Sequence, residues 1–290
     1  MNDPAADIDG DVYVFPRYLA GSTYTGDPAC EPLLALGWDL THDDLGNAYV
    51  TAPDRKIRLG YLPEGDDDGL WRINAYEDRF GPPTWGVSFN DQCPTEFVTA
   101  FTTALATAYQ EGPERVLARP DPAAPELDAF HAIAPLIKRG WKIPRPRWGV
   151  MELQTPDGMA ALEFATGRLN PERELTTLEA RWYIRGGPKS SGWYATASTS
   201  TPTALLTALT ESVSDPAPLP RWKDQMLRDL REKAQLVPVT PPSPPVPTPL
   251  DVRRTAPRRA PALTTRSIPR WSTTTTPSAA LPARSSGPRR

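Results

Sequence analysis

Soft and imidazole ligands are almost absent: two cysteines, Cys30 and Cys93, and two histidines, His42 and His131, in 290 residues. Two thiols make no disulfide framework, and so few ligands leave no basis for a structural zinc site. No apolar run approaches the ~18 residues that a membrane-spanning helix needs. The first ten residues, Met1 to Gly10, carry three aspartates and no base, which is unlike a secretory leader. A cytoplasmic protein with no membrane association is the expectation. Gly-x-x-x-x-Gly-Lys-[Ser/Thr] does not occur, no nucleophile-elbow motif accompanies either histidine, and no cofactor is expected.

Charge and proline are present in quantity and unevenly placed. From Val237 onward there are 13 prolines, nine arginines and a single acid, Asp251, a local charge of +8. The remaining 23 basic and 34 acidic residues leave −11 on residues 1–236. An acidic body therefore precedes a basic segment. Residues 237–290 cannot bury enough apolar surface to offset chain entropy and read as a disordered tail. The proline run from Pro238 to Pro249 favours polyproline II.

The body repeats itself. Gly37-Trp38 recurs as Gly140-Trp141 at an offset of 103, and Gly46, Pro53-Asp54 and Leu59 recur as Gly149, Pro156-Asp157 and Leu162. Trp71 and Ile73 return as Trp182 and Ile184 at offset 111; Trp85 and Pro94-Thr95 return as Trp193 and Pro202-Thr203 at offset 108. The register jumps in stretches rich in Gly, Pro and charge, where loops accept insertions. An ordered series of this kind is an internal duplication.

The fold class that follows is α+β, with two tandem modules and then the disordered tail. The first module spans 1–112 with an N-terminal extension and the second 113–236. Each reads as helix, four-stranded antiparallel meander, helix. In the first copy a short helix, Glu31 to Leu36, stops at Gly37. Strands follow near 48–51, 56–61, 70–76 and 84–89, and a helix begins near Pro94 with Phe97, Phe101 and Leu105 on one face. The second copy has a helix over 125–139, strands near 149–154, 159–165, 178–185 and 192–197, and a helix over 202–213. A further helix, Arg221 to Gln235, is expected to close the folded part.

Tyr18 to Pro28, Leu36-Gly37-Trp38, Arg58 to Gly65, Phe80-Gly81-Pro82-Pro83-Thr84-Trp85 and Pro94-Thr95-Glu96-Phe97 stand in an order that resembles the actinobacterial domain family named for its Ser-Pro-Asp-Tyr motif. That motif falls at Ala52-Pro53-Asp54-Arg55, where only Pro-Asp is kept, and at Thr155-Pro156-Asp157-Gly158 in the second, more divergent copy. The family is one of unknown function, so the resemblance implies a tandem arrangement and no catalytic residue, substrate or cofactor.

Each candidate feature has a plain structural explanation beside the functional one. Thr41-His42-Asp43 sits in a loop and is not repeated in the second copy; His131 lies in a helix beside apolar residues. The acidic run Glu64, Asp66, Asp67 and Asp68 lacks the alternating ligands of a calcium loop and reads as a hairpin tip. The paired tryptophans Trp38/Trp141, Trp71/Trp182 and Trp85/Trp193 could stack bases or sugars, but their apolar settings make them core. Trp148, Trp222 and Trp271 are the expected exposed set. Arg253, Arg254, Arg258, Arg259, Arg289 and Arg290 are the candidate nucleic-acid contacts. The leading function is a non-enzymatic binding or adaptor protein for an unknown protein partner, presenting a sheet face or the groove between modules. Two readings stay beside it: a nucleic-acid-associated protein acting through the basic tail, and an enzyme of unrecognised type using carboxylates such as Asp54 or Asp157.

Overall fold

The computed structural model describes residues 10–64, 69–117, 125–144, 147–176 and 179–239. Strand β1 (Asp11–Phe15) and a 3-10 turn (Arg17–Leu19) precede helix α1 (Asp27–Leu34). Strands β2 (Asp39–His42), β3 (Ala48–Thr51), β4 (Ile57–Tyr61), β5 (Trp71–Ala75) and β6 (Trp85–Phe89) then lead to α2 (Thr95–Glu111) and the short α3 (Pro113–Leu117). The second half runs α4 (Pro125–Lys138), β7 (Val150–Gln154), β8 (Ala160–Ala165), α5 (Pro171–Thr176), β9 (Trp182–Gly186), β10 (Trp193–Ala197) and α6 (Thr203–Ser214). It closes with β11 (Leu219–Trp222), α7 (Arg228–Lys233) and β12 (Gln235–Pro238). No helix among the described residues is long and apolar enough to cross a membrane.

The duplication is visible in backbone hydrogen bonds. After α1 the Gly37 N–H donates to Leu34 O at 2.9 Å and the Trp38 N–H to Leu33 O at 3.4 Å; after α4 Gly140 donates to Ile137 at 3.0 Å and Trp141 to Leu136 at 3.1 Å. Both are Schellman stops, and they need the positive φ of +77° at Gly37 and +82° at Gly140. The Pro-Asp turns also coincide. Arg55 N donates to Ala52 O at 2.8 Å and Gly158 N to Thr155 O at 3.0 Å. The last turn residue has φ +59° at Arg55 and +71° at Gly158. Glycine removes there the steric cost that arginine bears.

The strands of both halves form one nine-stranded antiparallel sheet, order β2-β3-β4-β5-β6-β10-β9-β8-β7. The halves meet where β6 pairs with β10, Phe89 opposite Ala195 and Val87 opposite Ala197. The 112/113 boundary is thus a repeat boundary and not a break in packing: the described residues form a single compact unit. Alternation decides the buried face. Trp85, Val87 and Phe89 turn inward with Trp193, Ala195 and Ala197, while Gly86, Ser88, Tyr194 and Thr196 turn out. Helix α1 packs on α2, α2 on α6 and α6 on α4 across the inward face. Phe97 of α2 meets Trp193 of the other half at a ring separation of 5.0 Å, and Phe101 sits edge-on to Phe89 at 6.0 Å.

Four expectations need correction. Asp39–His42 is a strand, so the first copy has five and not four; its counterpart in the second copy is reduced to a bridge between Lys142 and Gln154, followed by Pro144 and Pro146, which have no N–H to give a ladder. The insertion behind the jump from offset 103 to 111 contains a helix, α5. The region 221–235 is not one helix: Arg221 and Trp222 belong to β11, and only Arg228–Lys233 is α-helical. The body does not end at 236 either, because Tyr13 pairs with Val237 and Val12 with Pro238. Strand β1 lies between β11 and β12, so the N-terminal extension assigned to the first module is held by the end of the second.

Candidate recognition surface on the open sheet face

With helices covering one side, the outward residues of the sheet form a second, polar surface. On the first half these are Tyr49, Arg58, Arg72 and Asn74, and at the junction Ser88 and Thr196, whose hydroxyls lie 2.6 Å apart. On the second half Tyr183 and Tyr194 stack with ring centroids 5.9 Å apart and planes 26° from parallel. Arg147 and Arg185 bracket Glu152 and Glu163, at 3.7 and 3.5 Å from Arg147 and 3.6 and 4.0 Å from Arg185. Charge on the second half is therefore internally balanced. On the first half the outward charged strand residues are Asp39, beside Thr51 on the edge strand, and the two arginines.

A corner of the first half is built from arginine on aromatic rings. The Arg58 guanidinium lies over the Tyr76 ring at 5.0 Å and donates to the Arg79 carbonyl at 3.2 Å. Arg79 lies over the Phe80 ring at 4.7 Å, and Phe80 is 84% exposed. The turn carrying Phe80 is shaped by Asp78, whose Oδ1 accepts the Phe80 N–H at 3.1 Å. The signal was in the sequence: Arg58 stands between the inward Ile57 and Leu59, and Tyr76 follows the inward Ala75. What pattern reading could not supply was that the turn after β5 folds back to meet Arg58.

Helix α5 covers part of this face. Glu174 accepts from the Thr199 backbone N–H and, at 2.8 Å, from its hydroxyl. Arg181 anchors the same connection through the carbonyls of Ala165 and Gly167 and through Thr199 Oγ1 at 3.0 Å. Burial lowers the Arg181 pKa from its ordinary value, and the charge of Glu174 works against that shift. Leu175 reaches Gly86 of the other half, where an added Cβ would stand 3.1 Å from the leucine and 2.7 Å from Asn74 Oδ1.

The opposite surface has a groove of about 950 Å³ between α2, α4 and α6, floored by Ala100, Ala104 and Ala208 with Lys138 and Arg139 among its lining residues. An ion pair of Arg17 with Asp215 at 3.3 Å stands in it. Nearby Arg221, almost wholly buried, is held bidentate by Glu96 at 2.6 and 2.7 Å and by the Gly21 carbonyl. These groups satisfy one another and tie the N-terminal segment to α2 and β11.

The other candidates have structural employment. Asp54 Oδ1 accepts the Lys56 N–H and Asp157 Oδ1 the Met159 N–H, each at 3.0 Å, so both carboxylates stabilise their own turns. His42 is exposed at the end of edge strand β2; Asp43 accepts from Leu45, Asn47 and Tyr49 within its own turn, and those hydrogen bonds hold its pKa below the ordinary value. His131 is exposed on α4. Cys30 and Cys93 are buried free thiols; burial, then the charge of Asp27, pushes Cys30 up to about 11. Among the described residues no group of three His, Cys, Asp or Glu is placed to hold a metal. The six paired tryptophans are all buried, whereas Trp148 is 98% and Trp222 47% exposed. Trp271, Asp66, Asp67, Asp68 and the arginines Arg253, Arg254, Arg258, Arg259, Arg289 and Arg290 lie outside the described residues.

Matching helix stops, matching Pro-Asp turns and a meander repeated on either side of a β6–β10 junction define a tandem α+β repeat protein. The family model of the SPDY domain, a domain of unknown function (DUF317), matches residues 51–110 and again residues 154–219. The two matched segments are consistent with two tandem copies of that domain. Both matches open at the Pro-Asp turn and close at or just beyond the second helix of their half. No curated protein and no solved structure matches the chain.

Proposed function

We propose that the chain is a non-enzymatic binding or adaptor protein, acting in the cytoplasm, whose recognition surface is the open face of the nine-stranded sheet. The observation that carries this reading is the asymmetry of the sheet. One face is sealed by α1, α2, α6 and α4, and the other offers rows of Arg, Tyr, Ser, Thr and Asn that no core requires. Polar and aromatic groups on rigid strands make a pre-organised surface that loses little entropy on binding. The carboxylates that an enzymatic reading would use, Asp54 and Asp157, are engaged in turns.

The test is a Ser88→Lys variant, which sets a flexible cation at the centre of the face without touching the core. Protein partners retained by the immobilised wild-type chain should be lost on the variant. An unchanged set of partners removes the sheet face as the recognition surface. A second contribution is proposed for Arg253, Arg254, Arg258, Arg259, Arg289 and Arg290: sequence-independent attraction to phosphates, weak at physiological salt and steeply salt-sensitive.

A further inference from the structure

The arginine–aromatic corner lies on the first half of the open face, where Arg58 ties the turn after β5 back to the sheet and leaves Phe80 outermost. Phe80 is 84% exposed, the largest exposure of any phenylalanine described, and sits at the tip of the β5–β6 connection. A single exposed ring is ordinary on a protein surface; what sets this one apart is the arginine pair built against it. Here one face of the ring is met by Arg79, and Arg79 in turn receives a hydrogen bond from Arg58 through its carbonyl. The corresponding turn in the second half reads Pro188-Lys189-Ser190-Ser191 and has neither ring nor arginine, so the duplication as such does not call for it.

We propose that Arg58, Tyr76, Arg79 and Phe80 form a binding site for single-stranded nucleic acid, a reading that rests on the open face being the recognition surface. A base stacks on the exposed side of Phe80, and the two guanidinium groups, already held in place over rings, neutralise the flanking phosphates. The outward charged strand residues of this half are Asp39, Arg58 and Arg72, and Glu77 and Asp78 share the turn; Asp78 is occupied with the Phe80 N–H. The two guanidinium groups stacked over rings place positive charge at this point of a body that is acidic as a whole, which favours an anionic ligand here over its surroundings. Duplex is the wrong shape, because its bases are closed to a stacking ring. An acidic peptide would meet the guanidinium groups and leave the ring unused. A sheet of nine strands at ~4.8 Å spacing extends about 40 Å, room for a strand to continue past Ser88 and Thr196 toward the stacked Tyr183 and Tyr194.

The experiment uses the full chain and fluorescence anisotropy of a labelled oligothymidylate of ~15 nucleotides, with a duplex of equal length as comparison. Phe80→Ala should weaken single-strand binding about tenfold and leave duplex binding unchanged. Arg58→Ala and Arg79→Ala should each weaken it and reduce the slope of log K against log salt by about 0.7. Circular dichroism and urea midpoints equal to wild type show that these exposed substitutions leave the fold intact. Single-strand binding that is indifferent to Phe80→Ala and Arg79→Ala overturns the proposal and assigns the affinity to the basic segment beyond Pro249. Absence of single-strand binding at low salt also overturns it. In that case loss of protein partners by Ser88→Lys keeps the sheet face as a protein-recognition surface, and no loss removes both readings.

Discussion

The hydroxyl of Tyr18 donates to Oδ2 of Asp157 at 2.8 Å, a contact that spans 139 residues of sequence. The same tyrosine stands edge-on to Trp141, 6.4 Å between centroids and 81° between planes. The first half has the same trio from a different source: Tyr109 of α2 stands edge-on to Trp38 at 5.1 Å, and Asp54 is among the groups that raise its pKa, after burial. Each half thus places a tyrosine between the tryptophan that follows its helix stop and the aspartate of its Pro-Asp turn. The second half has Ala217 where offset 108 would put the counterpart of Tyr109, and the N-terminal segment supplies the ring instead. The Trp193 indole holds that segment further by donating to the Tyr18 carbonyl at 2.9 Å.

Tyr18→Phe should cost about 1 kcal/mol in urea denaturation, the net value of a partly exposed hydrogen bond to a carboxylate. Tyr18→Ala should cost more, because the edge contact with Trp141 goes too. Asp157→Asn in the Tyr18→Phe background should add almost nothing on the hydroxyl side of a double-mutant cycle; full additivity would show that the two groups act independently.

Alkaline stability should depend on Tyr18. Burial first and Asp157 second raise its pKa well above the ordinary value of 10. The unfolded phenol ionises near pH 10 while the folded one stays protonated, so its contribution is complete below pH ~10 and is lost as pH rises beyond it. Cys30, Cys93, Tyr61 and Tyr109 are shifted in the same direction. The informative quantity is therefore the difference between wild type and Tyr18→Phe, which should shrink between pH 9 and 11.5. A constant difference would refute the assignment.

Trp38→Ala should cost about 3–5 kcal/mol, the usual range for removing a buried large aromatic. Trp38 is 4% exposed, yet its Nε1 has no hydrogen-bond partner. Trp38→Phe removes that buried unpaired N–H and should cost under about 1.5 kcal/mol. A Trp38→Ala loss below about 1 kcal/mol would contradict a core role.

Gly86→Ala should destabilise by about 1–3 kcal/mol, since the new methyl meets Asn74 and Leu175. The strain should fall on α5, so hydrogen exchange at 171–176 should accelerate more than exchange in β5 or β10. Uniform acceleration across the sheet would mean that α5 is not the yielding element.

A chain ending at Val239 should match the full chain in urea midpoint, because the composition beyond it supports no core. One ending at Leu236 removes the pairings of Val237 and Pro238 with Tyr13 and Val12 and the Val239 N–H bond to Asp11 O at 2.9 Å. It should lose about 1–3 kcal/mol, two or three net backbone hydrogen bonds. Equal stability of the two truncations would show that β12 contributes nothing.

What the sequence by itself determined was everything set by neighbours along the chain. The glycine stops at Gly37 and Gly140, the Pro-Asp turns and the meander strands of both copies are local events with local signals. Their boundaries were readable to within a few residues. The inward strand tryptophans Trp71, Trp85, Trp182 and Trp193 follow from alternation alone. Only the tertiary structure decided the pairings between distant segments. Phe89, Val87, Ala195 and Ala197 show the same alternation whether β6 and β10 are edges or partners, so nothing in it announces one sheet in place of two. Met226 and Leu230, four apart and both buried, read as a helical stripe. Arg221 and Trp222 nevertheless went to β11, because β1 offers backbone partners from the far end of the chain and Glu96 satisfies the buried guanidinium. Tyr18 and the Arg58–Arg79 contact were hidden for the same reason. A side chain's partner across a fold is a matter of geometry, and sequence pattern encodes only which face of its own element it occupies.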